Sequence, residues 1–348
     1  MRILIVSDAW APQVNGVVTS LQALVAELRG LGHLVKLLSP RDFRAVPCPT
    51  YPEIPLVWDL WRVGAAIRDF RPDCVHLATE GPLGWAARRW LVKRGLAFSS
   101  AVHTRFPEYV HTRWRQVPLA WGYAVLRAFH RPSQTVLVTT ERLREELGGH
   151  GLTRLSLWRK GVDTARFHPR PEMPRPMRPV FLYVGRIAPE KNLRAFLDLD
   201  LPGEKWLVGD GPQRAELEAA YPQARFLGYR HGEALAEAYV SASVLVFPSR
   251  TDTYGLVMLE ALACGTPVAA FPVPGPLDVL EAGVTGVMDE ELEGACLRAL
   301  ELDRGVCAER AARLSWRASA LEFLARQPLL DGELCGEAVA QPGVQGAS

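Results

Sequence analysis

Short apolar runs alternate with stretches of helical period along almost the whole chain. "RILIVS" is followed by "VVTSLQALVAELRGLG" and then "LVKLLS"; the apolar runs are too short for helices and read as buried strands. The same reading places strands at "DCVHLA", "LAFSSAVH" and "TVLVTT", with helices at "PLGWAARRWLVKR" and "PLAWGYAVLRAFH" between them. The second half repeats the rhythm at "PVFLYVG", "KWLVGDG", "ARFLGY", "SVLVFPS" and "TPVAAFP", separated by helical segments such as "GPQRAELEAAY" and "GEALAEAYVSA". Strand and helix alternating through both halves predict an α/β chain of two doubly wound, Rossmann-like domains.

Between the halves, "GVDTARFHPRPEMPRPMRPV" carries five prolines after Phe167 and no sustained period. Proline fixes φ and lacks a donor, so this stretch reads as a linker or irregular edge. The expected domains are 1–171 and 172–313, with a C-terminal helix at 314–330 that can pack back on the first domain and a loose tail at 331–348. A length of 348 residues agrees with two domains, being more than one core usually organises. Open α/β sheets bind ligands beyond the C-terminal ends of their strands, so two such domains facing each other would place a site in the cleft between them. Candidate chemistry is therefore sought in loops that follow strands.

Charge adds an asymmetry that the net value of +2 hides. Residues 1–170 hold 24 Lys and Arg against 13 Asp and Glu, whereas the remainder holds 16 against 25. A basic first half suits a phosphate-rich or anionic-lipid partner, or simply an acidic domain opposite it. The six cysteines show neither a C-x-x-C pair nor zinc spacing and read as reduced core residues of a cytoplasmic protein. The opening "MRILIVSDAW" has too short an apolar run for a signal peptide, and nowhere do about 18 apolar residues run together, as a membrane span requires.

Several loops carry chemistry. In "SDAWAPQVNGVVTSL", Asn15 and Gly16 open a helix whose amides can receive an anion, although an ordinary Asn-Gly turn explains them too, and the G-x-G-x-x-G of a dinucleotide site is absent. "AVHTRFPEYV" sets His103 at a strand end, followed by Arg105 and Glu108. "FLYVGRIAPEKN" places Arg186 and Lys191 after a strand, two cations suited to a diphosphate, one by its fork and one as a point charge. "TDTYGLVMLE" follows "SVLVFPS": Asp252 lies in the loop, Tyr254, Gly255 and Leu256 start a helix, and Glu260 lies over a turn inside it. A carboxylate for hydroxyls, amides for phosphate and a second carboxylate for a ribose diol would together suit a nucleotide sugar. An N-cap aspartate and a surface glutamate would explain the same acids. Asp198 and Asp200 form a D-x-D, but it follows a helix and precedes a Pro-Gly turn, so it reads as a solvated turn.

With these residues in place the chain resembles the retaining glycosyltransferases of family 4, which have the two-domain GT-B fold. The resemblance covers roughly residues 1–326 and is carried by "PQVNGV", "HTRFPEY", "GVDTARFHP", "YVGRIAPEKN", "VGDGPQRAELE", "FLGY", "FPSRTDTYGLVMLEALACGTPVAA" and "SWRASALEFLA" in this order. It implies that the family's paired acids fall on Asp252 and Glu260, with Glu260 on the ribose hydroxyls and Asp252 on those of the donor sugar. It further implies that Arg186 and Lys191 hold the diphosphate, that Asn15 and Gly16 form the first loop, and that His103 lies near the transferred sugar, with Arg105 and Glu108 on the acceptor side. Asp252 departs from the family's usual Glu and is one methylene shorter, which bears on donor identity.

Retention without a clear carboxylate nucleophile implies that the leaving diphosphate itself accepts the acceptor's proton on the same face, through an oxocarbenium-like state. Charge stabilisation by Arg186, Lys191 and the amides of Gly255 and Leu256 would then be the main catalysis, with no metal or other cofactor expected. The implied reaction moves a hexose from a UDP- or GDP-sugar to a lipid or lipid-linked saccharide. The rivals are transfer to a soluble saccharide and a non-catalytic nucleotide-sugar binder. The basic first half is expected to meet an anionic membrane through "GWAARRWLVKRGLAF", which interleaves Trp85, Trp90, Leu91 and Phe98 with Arg88, Arg89, Lys93 and Arg94, unless that helix packs both tryptophans into the core. No groove-reading motif supports nucleic acid as a partner. The expected location is cytoplasmic, peripheral on the inner face of the plasma membrane.

Overall fold

The computed structural model describes residues 1–330 except 12, 14, 49, 50, 104–106, 108–115, 117, 175, 252 and 253, and without the side chains of 48 and 51–54. The described chain divides into two compact units: Met1–Val138 with Leu147–Ser156 and residues 323–330, and Thr139–Glu146 with Leu157–Glu322. Passage to the second unit after Ser156 lies upstream of the proline-rich stretch expected to mark the boundary. The physical reason is that Val162 and Phe167 are buried with the core of the second unit.

The strands of the first unit are β1 (Arg2–Val6), β2 (Leu34–Leu38), β3 (Ala45–Cys48), β4 (Tyr51–Val57), β5 (Cys74–Leu77), β6 (Ser99–Val102), β7 (Thr135–Val138) and β8 (Leu155–Leu157). Six form one sheet in the order β2-β1-β5-β6-β7-β8, and β3 pairs antiparallel with β4. β1 runs parallel to β2 with Ile3 opposite Val35, and to β5 with Ile3 opposite Cys74. Ile3, Leu4, Ile5 and Val6 have no exposed surface, as strands covered by helices on both faces require.

The second unit holds β9 (Val180–Val184), β10 (Glu204–Val208), β11 (Arg225–Phe226), β12 (Val244–Phe247), β13 (Val268–Ala270) and β14 (Gly286–Met288). Their order is β11-β10-β9-β12-β13-β14, all neighbours parallel. Numbered from the first strand of the unit this is 3-2-1-4-5-6, the doubly wound order with its switch point between β9 and β12. A parallel pair needs a crossover, and strands to the left and right of the switch point send theirs in opposite directions. The C-terminal ends of β9 and β12 therefore open a crevice between loops that diverge.

The core of this unit is in two layers, one on each face of the sheet. Leu182, Leu245, Met258 and Leu262 belong to one layer, and Phe181, Tyr183, Val244 and Val246 to the other. Neighbouring residues of one strand fall in opposite layers because side chains alternate across a sheet. Cys264 and Cys307 lie in the first layer and Cys296 in the second; these and Cys74 are buried free thiols. Among the described residues, no helix is long and apolar enough to cross a membrane.

Candidate active site

The loops after β9, β10 and β12 are tied together by backbone. The Gly185 N–H donates to Val208 O at 3.0 Å, Ile187 N–H to Asp210 O at 2.9 Å and Gln213 N–H to Ile187 O at 3.1 Å. Gly209 sits at φ +133°, where a Cβ would come 1.9 Å from Gly185 O, so only glycine lets the two turns approach. From the same β9 loop, Asn192 Nδ2 donates to Pro248 O at 3.2 Å, and the Ser249 and Thr251 hydroxyls lie 3.5 and 3.4 Å from Glu190 O. These bonds hold the short 3₁₀ turn Pro189–Lys191 against the segment leading to Asp252. Arg186, exposed, and Lys191, half-buried, thus flank the crevice at the switch point.

Helix Leu256–Ala263 begins beyond that crevice. Gly255 adopts φ +76°, and a Cβ there would meet Met258 Cε at 2.8 Å and the Phe247 ring at 3.0 Å, so the turn delivering the helix start is specific to glycine. Tyr254 is half-buried, and burial pushes its hydroxyl up to about 12, opposed by a hydrogen bond from the Lys160 backbone. That bond links the loop to the Trp158–Val162 segment, itself held by Trp158 Nε1 donating to Ser319 Oγ at 3.0 Å. Lys160 is buried with its ammonium 3.5 Å from the centre of the Trp158 ring, and burial lowers it to about 7.

Glu260 lies one turn into the helix, half-buried, and accepts a hydrogen bond of 2.7 Å from the hydroxyl of Tyr239. Tyr239 is fully buried on helix Gly232–Ser241, its ring edge-on to Phe167. Burial pushes the Glu260 carboxyl up to about 7, against the lowering effects of the Tyr239 bond and the Arg166 charge; Asp163 adds a smaller upward push. A surface helix glutamate would have none of these neighbours. Tyr239, Asp163 and Arg166 were not singled out by sequence reasoning. "GVDTARF" was noticed only as part of the resemblance, and Tyr239 has no signal beyond an aromatic in a helical stretch.

In the first unit the switch point lies between β1 and β5. Asp8, just past β1, accepts from Thr79 Oγ1 at 2.9 Å and from the Leu83 and Gly84 amides at 2.8 and 3.2 Å, so it anchors the start of helix Pro82–Val92. Burial raises the Asp8 carboxyl, opposed by those hydrogen bonds. Asn15 caps helix Gly16–Gly30: its Oδ1 accepts from Val17 N–H at 3.1 Å and Val18 N–H at 3.0 Å. The expectation of uncovered amides is thereby corrected for these two, because the cap side chain already occupies them. Gly16 differs from Gly255. Its φ is ordinary and an added Cβ would meet nothing within 4 Å, so neither strain nor internal packing requires glycine. His103 follows β6 and is half-buried. Asp252, Arg105 and Glu108 lie outside the described residues.

Asp198 and Asp200 end the short helix Arg194–Leu197, on the side where β10 begins, away from the crevice; Asp198 accepts from Tyr221 and the Asp200 N–H donates to Glu293. The solvated-turn reading of D-x-D agrees with that position. Among the described residues no cluster of three or more His, Cys, Asp or Glu could hold a metal ion. The expected membrane helix uses its tryptophans internally. Trp85 packs edge-on to Phe129 at 5.1 Å, the Trp90 ring occupies the space beside Gly64, and Leu91 and Phe98 are buried.

A doubly wound unit with two cations and a glycine-started helix at its switch point is the arrangement of a nucleotide-binding domain. The comparisons make the class specific. Residues 14–166 match the family model described as Glycosyltransferase Family 4, and residues 178–301 that of Glycosyl transferases group 1. The chain is 33% identical over 315 residues to the GDP-mannose-dependent alpha-mannosyltransferase of Mycobacterium tuberculosis, covering 83% of each. It is 28% identical over 369 residues to the GDP-mannose-dependent alpha-(1-6)-phosphatidylinositol dimannoside mannosyltransferase of the same species, covering 93% of this chain and 95% of the other. Sucrose-phosphate synthase from Thermosynechococcus elongatus superposes with a TM-score of 0.76 at 22% identity, over 93% of this chain and 97% of that one, a likeness of fold. The chain belongs to glycosyltransferase family 4 and is a hexosyltransferase of GT-B fold.

If ionised Glu260 accepts ribose hydroxyls, the donor KM falls as pH rises from 6 to 8, and Glu260→Gln removes that dependence; Tyr239→Phe raises the KM about tenfold with a smaller change in kcat, the loss of one hydrogen bond to a charged group. The stability contribution runs the other way: a raised folded-state value favours the fold at low pH and is lost as pH rises through about 7. For Gly16→Ala, unfolding in urea should show stability unchanged or raised by about 0.4–1 kcal/mol; if the first loop lines the donor site as the resemblance implies, turnover falls at least tenfold, because the new methyl would then stand in the way of the ligand.

Proposed function

We propose that the chain transfers mannose from GDP-mannose, with retention of anomeric configuration, to a lipid or lipid-linked saccharide acceptor. The observation that carries the reading is the meeting of the Arg186–Lys191 loop with the segment before Asp252 at the switch point, one helical turn from the Tyr239-held Glu260. Relatives named as GDP-mannose-dependent mannosyltransferases, one of them acting on a phosphatidylinositol dimannoside, support both the donor and the acceptor class.

In this reading Glu260 accepts the ribose hydroxyls and Arg186 and Lys191 bind the diphosphate. Asp252 orients the hexose, with a side chain one methylene shorter than a glutamate's. As the glycosidic bond to the phosphate oxygen breaks, negative charge grows on the departing GDP, and both cations and the Gly255 and Leu256 amides interact more strongly with it than with the intact donor. Only interactions that strengthen in this way accelerate the reaction. The acceptor hydroxyl attacks from the face the diphosphate leaves, and its proton passes to the leaving phosphate oxygen. His103 contributes beside the transferred sugar, Asn15 and Gly16 in the first loop, and Arg105 and Glu108 on the acceptor side. With two fixed cations neutralising the diphosphate, turnover is expected without a divalent metal.

The test is release of GDP and UDP from a panel of GDP- and UDP-hexoses, with anionic diacylglycerol-containing vesicles or soluble saccharides as acceptors. GDP release from GDP-mannose that needs the vesicles and survives EDTA is expected. Lys191→Ala and Arg186→Ala should each lower kcat on the order of 100-fold, about 3 kcal/mol in the barrier, with a smaller effect on donor KM. Release with soluble saccharides alone contradicts the lipid acceptor, and donor binding without turnover contradicts the enzyme reading.

A further inference from the structure

The loop that follows β5 carries a carboxylate that the reaction described above does not use. β1 and β5 flank the switch point of the first sheet, where an open parallel sheet receives its ligands. Glu80 lies just beyond β5, on a turn that the loop after β1 grips. Ala78 N–H donates to Val6 O at 2.8 Å, Asp8 N–H donates to Thr79 Oγ1 at 2.7 Å, and Asp8 caps the helix that starts two residues after Glu80. Both Asp8 oxygens are taken up by such bonds. Glu80 is half-buried and, among the described residues, makes a single hydrogen bond.

That bond comes from the core. His130 ends helix Leu119–His130 with 1% of its side chain exposed, and its Nε2 lies 3.2 Å from Glu80 Oε1. Its Nδ1 lies 2.8 Å from Ser100 Oγ, which lies 2.8 Å from Ser133 Oγ. Ser100, on β6, and Ser133, just past the helix, have no exposed surface, and the Phe129 ring packs edge-on to the imidazole at 4.9 Å. A carboxylate only accepts, so Nε2 carries a proton. In the neutral ring Nδ1 then accepts from Ser100, which accepts from Ser133, and all three protons point along one line toward Glu80. The relay fixes Oε1. Oε2, which no described group meets, is open to solvent on a side chain 21% exposed.

We propose that Glu80 binds the acceptor through Oε2, accepting a hydrogen bond from an acceptor hydroxyl, and that His130 is the residue positioning it. The inference rests on the transfer reading and names the substrate class that the first unit holds. β5 pairs with β6, Leu77 opposite Ser100, so Glu80 and His103 leave the sheet at neighbouring strand ends, and the proposed reaction puts His103 beside the transferred sugar. In that reaction the proton of the attacking hydroxyl goes to the leaving phosphate. Glu80 therefore takes a different hydroxyl of the same molecule and fixes the line of attack. An acceptor with at least two hydroxyls is required, a saccharide or polyol head rather than an alcohol with one.

The test offers the full chain, with GDP present, methyl α-mannoside and myo-inositol as polyol probes and reads binding by saturation-transfer NMR. This readout needs no turnover, so failure of the transfer reading and failure of this one are told apart. Wild type should bind at least one probe, and Glu80→Ala should weaken that binding about tenfold, the loss of one hydrogen bond to a charged group. Where the probe also accepts mannose from GDP-mannose, its KM should rise by a similar factor while the donor KM moves much less. His130→Leu should lose as much as Glu80→Ala, and His130→Gln, whose amide still donates to Oε1, should restore most of it. Should Glu80→Ala fail to fold, Glu80→Gln keeps the His130 bond without the charge and makes the same comparison. Binding of neither probe by wild type would overturn the proposal. So would a lower unfolding midpoint for Glu80→Ala with binding unchanged, since Glu80 would then serve only to pair a buried histidine.

Discussion

The candidate site of this enzyme depends on one close backbone approach, that of the turn after β10 to the turn after β9. Gly209 has no Cβ to hold Gly185 away, so Gly185, Ile187 and Gln213 can exchange hydrogen bonds across the gap. That ladder fixes the β9 loop on one side, and Asn192 with the carbonyl of Glu190 fixes it on the other, against the loop after β12. Arg186 and Lys191 ride on a segment gripped from both neighbours. Cations on a mobile loop would spend entropy each time they gathered a diphosphate; cations on a fixed loop do not. In the proposed reaction the same rigidity would make electrostatic stabilisation of a leaving phosphate effective, because nothing has to reorganise as charge develops.

Glu260 illustrates the opposite balance. Its surroundings disfavour its charge, and burial raises its carboxyl to about 7, so near neutral pH the group stands between two states. The Tyr239 hydroxyl, itself buried and raised well above its ordinary value, donates to the carboxylate and holds one oxygen in place. A group placed in this way suits ligand binding better than fold stability, since an ionised carboxylate here works against folding and, in the proposed reading, in favour of a diol. Lys160 is a second buried ionisable group in the same unit, and its backbone holds Tyr254 in the adjoining loop. Both are places where the sequence accepts an unfavourable burial beside the site rather than elsewhere.

Much of the fold was legible because it rests on local pattern. Runs such as "VFLYV" and "VLVF" have no alternative but burial on both faces, and Gly255 and Gly265 mark the ends of one helix. Arg186, Lys191 and Glu260 could be placed because they follow strand patterns: the first two lie on the loop after β9 and Glu260 in the helix after β12. What could not be read were relations between distant positions. Tyr239 reaches Glu260 across 21 residues and Asp8 reaches helix Pro82–Val92 across more than 70, and no period records either meeting. The surroundings of the tryptophans at 85 and 90 could not be read for a related reason. Helical spacing says that they share a side with other residues, but only the neighbours, Phe129 and Gly64, decide whether that side is wet.

The central claim, that the switch point of the second sheet holds a nucleoside diphosphate, is tested most directly by a crystal structure with GDP. The account predicts phosphate oxygens within hydrogen-bonding distance of Arg186 and Lys191 and the ribose diol on the Glu260 carboxylate, with the Tyr239 bond retained. GDP bound with its ribose away from Glu260, or its phosphates away from both cations, would contradict it.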